Sequence, residues 1–455
     1  MNSTKSPGVR PVRAIPGQVR RDAAGTQAAP PASGVWLRLF EVTLALFIAG
    51  FLLTGLFPRL SSLNRPLGGV LALLALSSWL RRRDRIPAEV VLFGAFIAWA
   101  VLTGFLFAGN QELALAYGRL LSQELVLAFA LAAYVRERGR PSVAFLLLLV
   151  APLGLYWYAR AQGQLVTAQA GGRGDSWRLA SFMGNPNAAA TLCLYGLFAV
   201  AYFLWSRRKP GLVLWPLLVL PFIAIQLVLS GSRKNLLSFG VFVLMWAFFT
   251  YGRTKASRVR MALLLLVIAT ALYAGGRFVM ENTHAGDRFR QAASDPHLSR
   301  GRYTLYLEGW AMFLQAPVQG VGLGNFVALS SVGLYAHSDY MEVLATTGLV
   351  GFVLYFSIYL VLWLRLRRVL KKRKDATSRY MAGLYQAMII TLMVLGLGSP
   401  RFIDPLHMYI LGLMIGHACV MEQDLAGLLP AESKAGRGVT SSRPVPARRA
   451  SGPSL

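Results

Sequence analysis

Apolar runs long enough to cross a bilayer recur along this 455-residue chain, and that recurrence constrains the fold more than any single motif. They lie at roughly 36–57, 66–80, 87–108, 114–134, 142–159, 187–206, 211–230, 235–251, 259–275, 340–364, 380–398 and 403–421. A hydrocarbon core of about 30 Å takes about 20 apolar residues to span as a helix. Lipid offers the backbone no hydrogen-bond partners, so the helix is the favoured spanning form. The chain therefore reads as an all-α polytopic membrane protein of about 12 transmembrane helices. The short run at 66–80 is expected to be tilted or re-entrant. Composition agrees, with only 15% charged residues where a soluble domain carries about a quarter.

A net charge of +28 would suggest nucleic acid in a soluble protein. Here most Lys and Arg lie in short loops between apolar runs, where they set orientation instead. With the N-terminus in the cytoplasm, strict alternation puts "RRRDR" (81–85), "RERGR" (136–140), "SRRK" (206–209), "GRTKASRVR" (252–260) and "RLRRVLKKRKDATSR" (365–379) inside. The expected arrangement has both termini cytoplasmic and two longer outer segments, 160–186 and 276–339. The polar ends, 1–34 and 426–455, read as disordered cytoplasmic tails flanking a membrane domain at 35–425. No short apolar core with a cleavage site marks a signal peptide. Cys193 and Cys419 fall in apolar runs and read as packing residues. No HExxH, Cys/His cluster or outer acidic pair is present, so neither a metal site nor a cofactor is expected.

"GVGLGN" (320–325) has the glycine density of a phosphate loop, but it follows an amphipathic helix and not a strand, so it does not fit a dinucleotide fingerprint. It reads as a turn whose glycines let backbone approach something closely. The preceding helix, "RYTLYLEGWAMFLQ" (302–315), sets Tyr303, Tyr306, Leu307, Trp310, Phe313 and Leu314 at helical spacing and should end before Pro317. Such a short aromatic helix is expected to lie along the bilayer surface. His337 stands just ahead of an apolar run, where the positive end of a helix favours neutral imidazole. It reads either as a general base or as a solvated interfacial histidine. Arg178, Arg233 and Arg302 fall on outer segments, against the charge bias of membrane loops. Each reads either as a headgroup contact or as a phosphate clamp, and their co-location with Asn185, Asn187 and His337 on one face favours the clamp. Arg119 and Glu124 lie inside the fourth run, too far apart round a helix to pair with each other. Arg38 and Glu41 read as a structural i,i+3 pair.

Four blocks, "FMGNPNAAA" (182–190), "LSGSRKNLLSFGV" (229–241), "GRYTLYLEGWAMFLQAPVQGVGLGNF" (301–326) and "AHSDYMEVLATTGLVGFVLY" (336–355), resemble the O-antigen ligase and polymerase superfamily of bacterial membrane glycosyltransferases. The resemblance covers about 175–365 by motif and nearly the whole chain by topology. It implies a GT-C-like architecture with short interfacial helices in the outer loop, in the bacterial inner membrane. It implies transfer of a glycan from undecaprenyl pyrophosphate to an acceptor sugar hydroxyl at the periplasmic face, inverting and metal-independent. The acceptor would be lipid A-core for a ligase or another repeat unit for a polymerase. Arg233 and Arg302 would bind pyrophosphate, with Lys234 as a further phosphate contact. His337 would orient or deprotonate the acceptor. Arg178, Asn185, Asn187, Asn325 and Tyr340 would contact substrate. The family often carries Asn after the histidine, where this chain has Ser338. The competing reading is a transporter or flippase for a lipid-linked or anionic substrate, a class that often shows internal repeats and spans broken near the midplane.

Overall fold

The computed structural model describes residues 34–53, 61–82, 85–161, 167–168, 177–178, 186–206, 210–251 and 296–425, with isolated positions at 259, 277, 281 and 290. The expected tails and nearly all of the run at 259–275 lie outside the described residues. The elements are α1 (Gly34–Leu53), α2 (Ser61–Arg82), α3 (Ala88–Phe107), α4 (Gln111–Arg138), α5 (Ser142–Ala161), the two-residue pair β1 (Thr167–Ala168) and β2 (Trp177–Arg178), α6 (Pro186–Ser206), α7 (Pro210–Leu229), α8 (Arg233–Tyr251), α9 (Pro296–Gln315), α10 (Asn325–Leu329), α11 (Asp339–Lys372), α12 (Ala376–Gly396) and α13 (Pro405–Leu425). Among the described residues, α3, α4, α5, α6, α11 and α12 are long and apolar enough to cross a membrane. The chain is a multi-pass helical membrane protein.

The core forms where α4 packs on α13, α3 on α11, α8 on α12 and α6 on α5 and α7. Little hydrophobic force drives helices together in lipid, so close packing of small residues carries the contact. A Cβ added to Gly412 would lie 2.6 Å from the Ala128 carbonyl oxygen, and one on Gly416 would lie 2.8 Å from Ala132 Cα. α13 therefore presents a GxxxG face to two alanines of α4.

Ion pairs concentrate at one end of the bundle. Arg81 and Arg82 reach Glu137 at 2.5 and 2.7 Å, and Arg365 meets Glu89 at 2.7 Å and also Glu422. Glu41 does not pair with Arg38. It accepts from Arg138 Nε at 2.6 Å and from the Tyr134 hydroxyl at 2.9 Å. The last turns of α4 bring a guanidinium fork and a phenol to that carboxylate, while Arg38 faces outward on α1. A local i,i+3 contact is worth only a few tenths of a kcal/mol, so the tertiary contact wins.

The opposite end is organised by a broken helix. α11 is interrupted at Gly348, whose φ of 65° and ψ of −168° lie outside helical space. A break frees carbonyls before it and amides after it, and in a membrane protein each must find a partner. The segment 317–322 supplies most of them. Val321 and Gly322 N–H donate to the carbonyls of Ala345 and Thr346 at 2.9 and 3.0 Å. Leu349 and Val350 N–H donate back to Pro317 and Val318 at 2.9 and 3.3 Å. The Trp99 indole takes the Thr347 carbonyl at 2.9 Å. The glycine run is therefore the close-approach turn that its composition suggests, and what it approaches is bare helix backbone.

Gly320 shows how tight that approach is. Its φ is +72°, and an added Cβ would lie 2.4 Å from Thr346 C and 2.5 Å from Thr347 N. Neither atom can yield without moving α11. Gly320→Ala is expected to destabilise the protein by about 2–4 kcal/mol, combining left-handed strain with the clash. Gly333→Ala serves as the control, since Gly333 has a φ of +64° but nothing within 4 Å of its added Cβ. It should lose about 1 kcal/mol. Thermal unfolding in detergent that ranks the two variants equally would remove the docking role from Gly320.

α9 runs from Pro296 and stops at Gln315, ahead of Pro317. Leu305 and Met312 face the protein, whereas Tyr303, Leu307, Trp310 and Leu314 are exposed. Those four recur at i, i+4, i+7 and i+11 and form an apolar stripe suited to lipid. Tyr306 sits off the stripe and donates its hydroxyl to the Leu397 carbonyl at 3.1 Å.

Candidate functional site

Of the residues singled out from the sequence, His337, Arg302 and Lys234 come together at the start of α11. His337 is the last residue but one before that helix, and Ser338 caps it by accepting from the Met341 amide. His337 has a φ of 55°, the single positive φ at a non-glycine among the described residues. The left-handed region is uncommon for such residues, and outliers of this kind cluster at functional sites. Four hydrogen bonds of its neighbours hold it there. The Ala336 N–H donates to Glu342 Oε2 at 2.6 Å. Asp339 Oδ1 accepts from the backbone amides of Arg401 and Phe402 at 2.7 and 3.0 Å. Asp339 Oδ2 accepts from the Tyr355 hydroxyl at 2.9 Å. The neighbours of His337 carry the structural bonds, and its own half-buried ring rests on Tyr335 with centroids 4.3 Å apart.

Two cations act on that imidazole. Burial, then the charge of Arg302 on α9 and then that of Lys234 on α8, hold the His337 pKa below its ordinary 6.5. All three causes disfavour the imidazolium, so the ring is neutral at pH 7 with a lone pair free to accept a proton. Arg302 is exposed. Lys234 is half-buried, donates from Nζ to Ser399 Oγ, and is crowded by Arg401 and Arg302. Arg401 is itself buried. It donates to Ser399 Oγ and, from Nη1 at 2.6 Å, to Asp404 Oδ2. Arg233 is the first residue of α8, half-buried, just after the left-handed turn at Gly231. Lys234 and Arg302 thus set positive charge beside a neutral imidazole, with Arg401 next to Lys234. Such an arrangement can hold a polyanion and accept a proton next to it.

The other expected site residues are placed as follows. Asn187 is the second residue of α6, and its carbonyl accepts from the Thr191 hydroxyl at 2.9 Å and from Asn235 Nδ2 at 3.3 Å, which ties the start of α6 to that of α8. Asn325 opens α10, with its amide donating to the Val321 carbonyl at 2.9 Å. The Tyr340 hydroxyl donates to the Met393 carbonyl at 3.0 Å, and its ring stacks on Phe356. Arg178 is placed by its backbone in β2, and Asn185 lies outside the described residues. Glu124 is fully buried in α4.

Ser399, Arg401 and Asp339 were not singled out from the sequence. Arg401 carried a usable signal, because the expected topology makes "GSPRFIDP" an outer connection, where an arginine runs against the charge bias of membrane loops. Asp339 carried a weaker one, an acidic residue in the first turn of an apolar helix.

No curated protein matches the chain. Residues 218–356 match the family model described as O-antigen ligase. That span runs from within α7 through α8 and α9 to just past the break in α11, so it takes in Arg233, Lys234, Arg302 and His337. Over that segment, under a third of the chain, this protein is similar to the O-antigen ligases.

Proposed function

We propose that the chain transfers a glycan from a polyprenyl pyrophosphate donor to a sugar hydroxyl at the periplasmic face of the bacterial inner membrane. The observation that carries this reading is the neutral, strained His337 beside Arg302 and Lys234, within the segment that matches the O-antigen ligases. The acceptor oxygen attacks the anomeric carbon from the face opposite the pyrophosphate, so configuration inverts. His337 takes the hydroxyl proton as the new C–O bond forms. The old C–O bond breaks onto the pyrophosphate oxygen, whose growing charge is met by Arg233, Lys234 and Arg302, with Arg401 behind them. Arginine charge on the pyrophosphate takes the part a metal would otherwise play, so added chelator should leave the rate unchanged. The break in α11 does not favour the transport reading, because most of the backbone groups it frees are bonded by 317–322 and Trp99.

Reconstituted chain with lipid-linked donor should transfer glycan at pH 7 and lose rate as pH falls through the lowered His337 pKa, below 6.5. Flux of the lipid-linked glycan across liposomes without transfer would replace the enzyme with a transporter. The acceptor is read from a deletion strain. Bare lipid A-core with long lipid-linked polymer indicates a ligase, and core capped by one repeat indicates an O-antigen polymerase. Intact lipopolysaccharide with missing capsule or exopolysaccharide indicates a polymerase for another polymer.

A further inference from the structure

A cavity of about 840 Å³ lies between α2, α3 and α4, away from His337. Val101, Leu115 and Leu120 give it apolar walls, Gln123 adds an amide, and Arg65 and Arg119 stand in it as two cations. Both arginines are exposed, and neither has an ion pair or hydrogen bond among the described residues. Leu115 and Val101 are exposed as well, so this flank meets lipid and not the protein core.

The two arginines sit at one depth. α2 and α4 are tied at the other end of the bundle by Arg82 and Glu137. Counting back from that pair, Arg65 is about 17 residues up α2 and Arg119 about 18 up α4, so both stand about 25 Å above it. That is near the far boundary of a hydrocarbon core of about 30 Å, where an arginine can lay its stem along apolar surface and lift its head to a phosphate. Both guanidinium groups are thus placed to take an anionic headgroup.

The cleft does not serve the transfer site. Tyr117, two residues before Arg119, faces the glycine loop that docks on α11: its ring carbon lies 2.9 Å from a Cβ added to Gly324. Two residues turn a helix by about 200°, so Arg119 points the other way. A donor phosphate on Arg119 would sit on the face of α4 opposite Tyr117. The phosphate of an anionic phospholipid satisfies two guanidinium groups, and its chains fit the apolar walls.

We propose that the cleft between α2, α3 and α4 binds an anionic phospholipid, with Arg65 and Arg119 on the phosphate and Val101, Leu115 and Leu120 along the chains. The test is native mass spectrometry of the full chain in detergent with equal phosphatidylglycerol and phosphatidylcholine. The native chain should retain phosphatidylglycerol about 10-fold over phosphatidylcholine, since charge-assisted contacts favour net negative charge. The Arg65→Gln/Arg119→Gln chain should bring that ratio near one, while Arg65→Lys/Arg119→Lys keeps part of it. An equal ratio in the native chain, or an unchanged ratio in the glutamine variant, overturns the proposal. Displacement of phosphatidylglycerol by equimolar undecaprenyl pyrophosphate would give the cleft to the donor, and displacement by millimolar inorganic phosphate would make it a free-anion site. Either result overturns it. Thermal unfolding in lipid-free detergent should be the same for the native and glutamine chains. A large loss there would make the arginines supports of the fold and equally overturn the assignment.

Discussion

Glycan transfer by the His337→Ala chain is expected to fall about 10²–10⁴-fold, while the protein still inserts and folds. A sugar hydroxyl is a poor nucleophile at neutral pH, and a positioned base supplies a factor of that size. The fold should survive because the bonds that shape this corner belong to Ala336, Ser338, Asp339 and Glu342. Alanine at a φ of 55° carries left-handed strain of about 1–2 kcal/mol, so His337→Asn is the cleaner variant. Asparagine tolerates that backbone and has no basic nitrogen. The two variants should lose activity alike and differ only in thermal stability. Native rates in both would end the case for His337 as the base.

Arg302→Ala is expected to reduce transfer about 10²–10³-fold, as removing a preorganised charge from a developing anion does. A second readout separates this role from a structural one. Arg302 is one of the charges that hold His337 in its neutral form, so its removal should move the acid limb of the rate profile up toward 6.5. Arg302→Lys keeps the charge and should leave that limb in place, yet it loses the bidentate fork and should still weaken donor use. Arg233→Ala should weaken donor use without moving the limb. Unchanged donor kinetics and an unchanged limb in Arg302→Ala would remove the clamp.

Some of this was legible in the chain because the responsible physics is local. Span length and apolarity are set by bilayer thickness, and α3, α4, α5, α6, α11 and α12 meet those limits in the folded chain. Pro317 ends α9 for a reason internal to the proline ring. The glycines at 320, 322 and 324 take positive φ, as glycine alone does without strain. His337 and Arg302 stood out by residue type against their surroundings. The GxxxG of α13 was equally local and equally readable.

The sequence by itself determined a multi-pass helical membrane protein, the close-approach character of its glycine loop, and a histidine and arginines worth testing. Only the tertiary structure decided what those residues meet. It showed that the loop docks on the break at Gly348, that Glu41 turns from Arg38 to Arg138, and that Lys234, Ser399 and Arg401 stand together beside Arg302 and His337. It also showed that Arg65 and Arg119 share one cleft. The physical reason is one of range. Backbone dihedrals and span length are governed by each residue and its near neighbours, whereas a contact between segments far apart in the chain is set by which helix faces pack together, and an apolar run reads nearly the same all the way round.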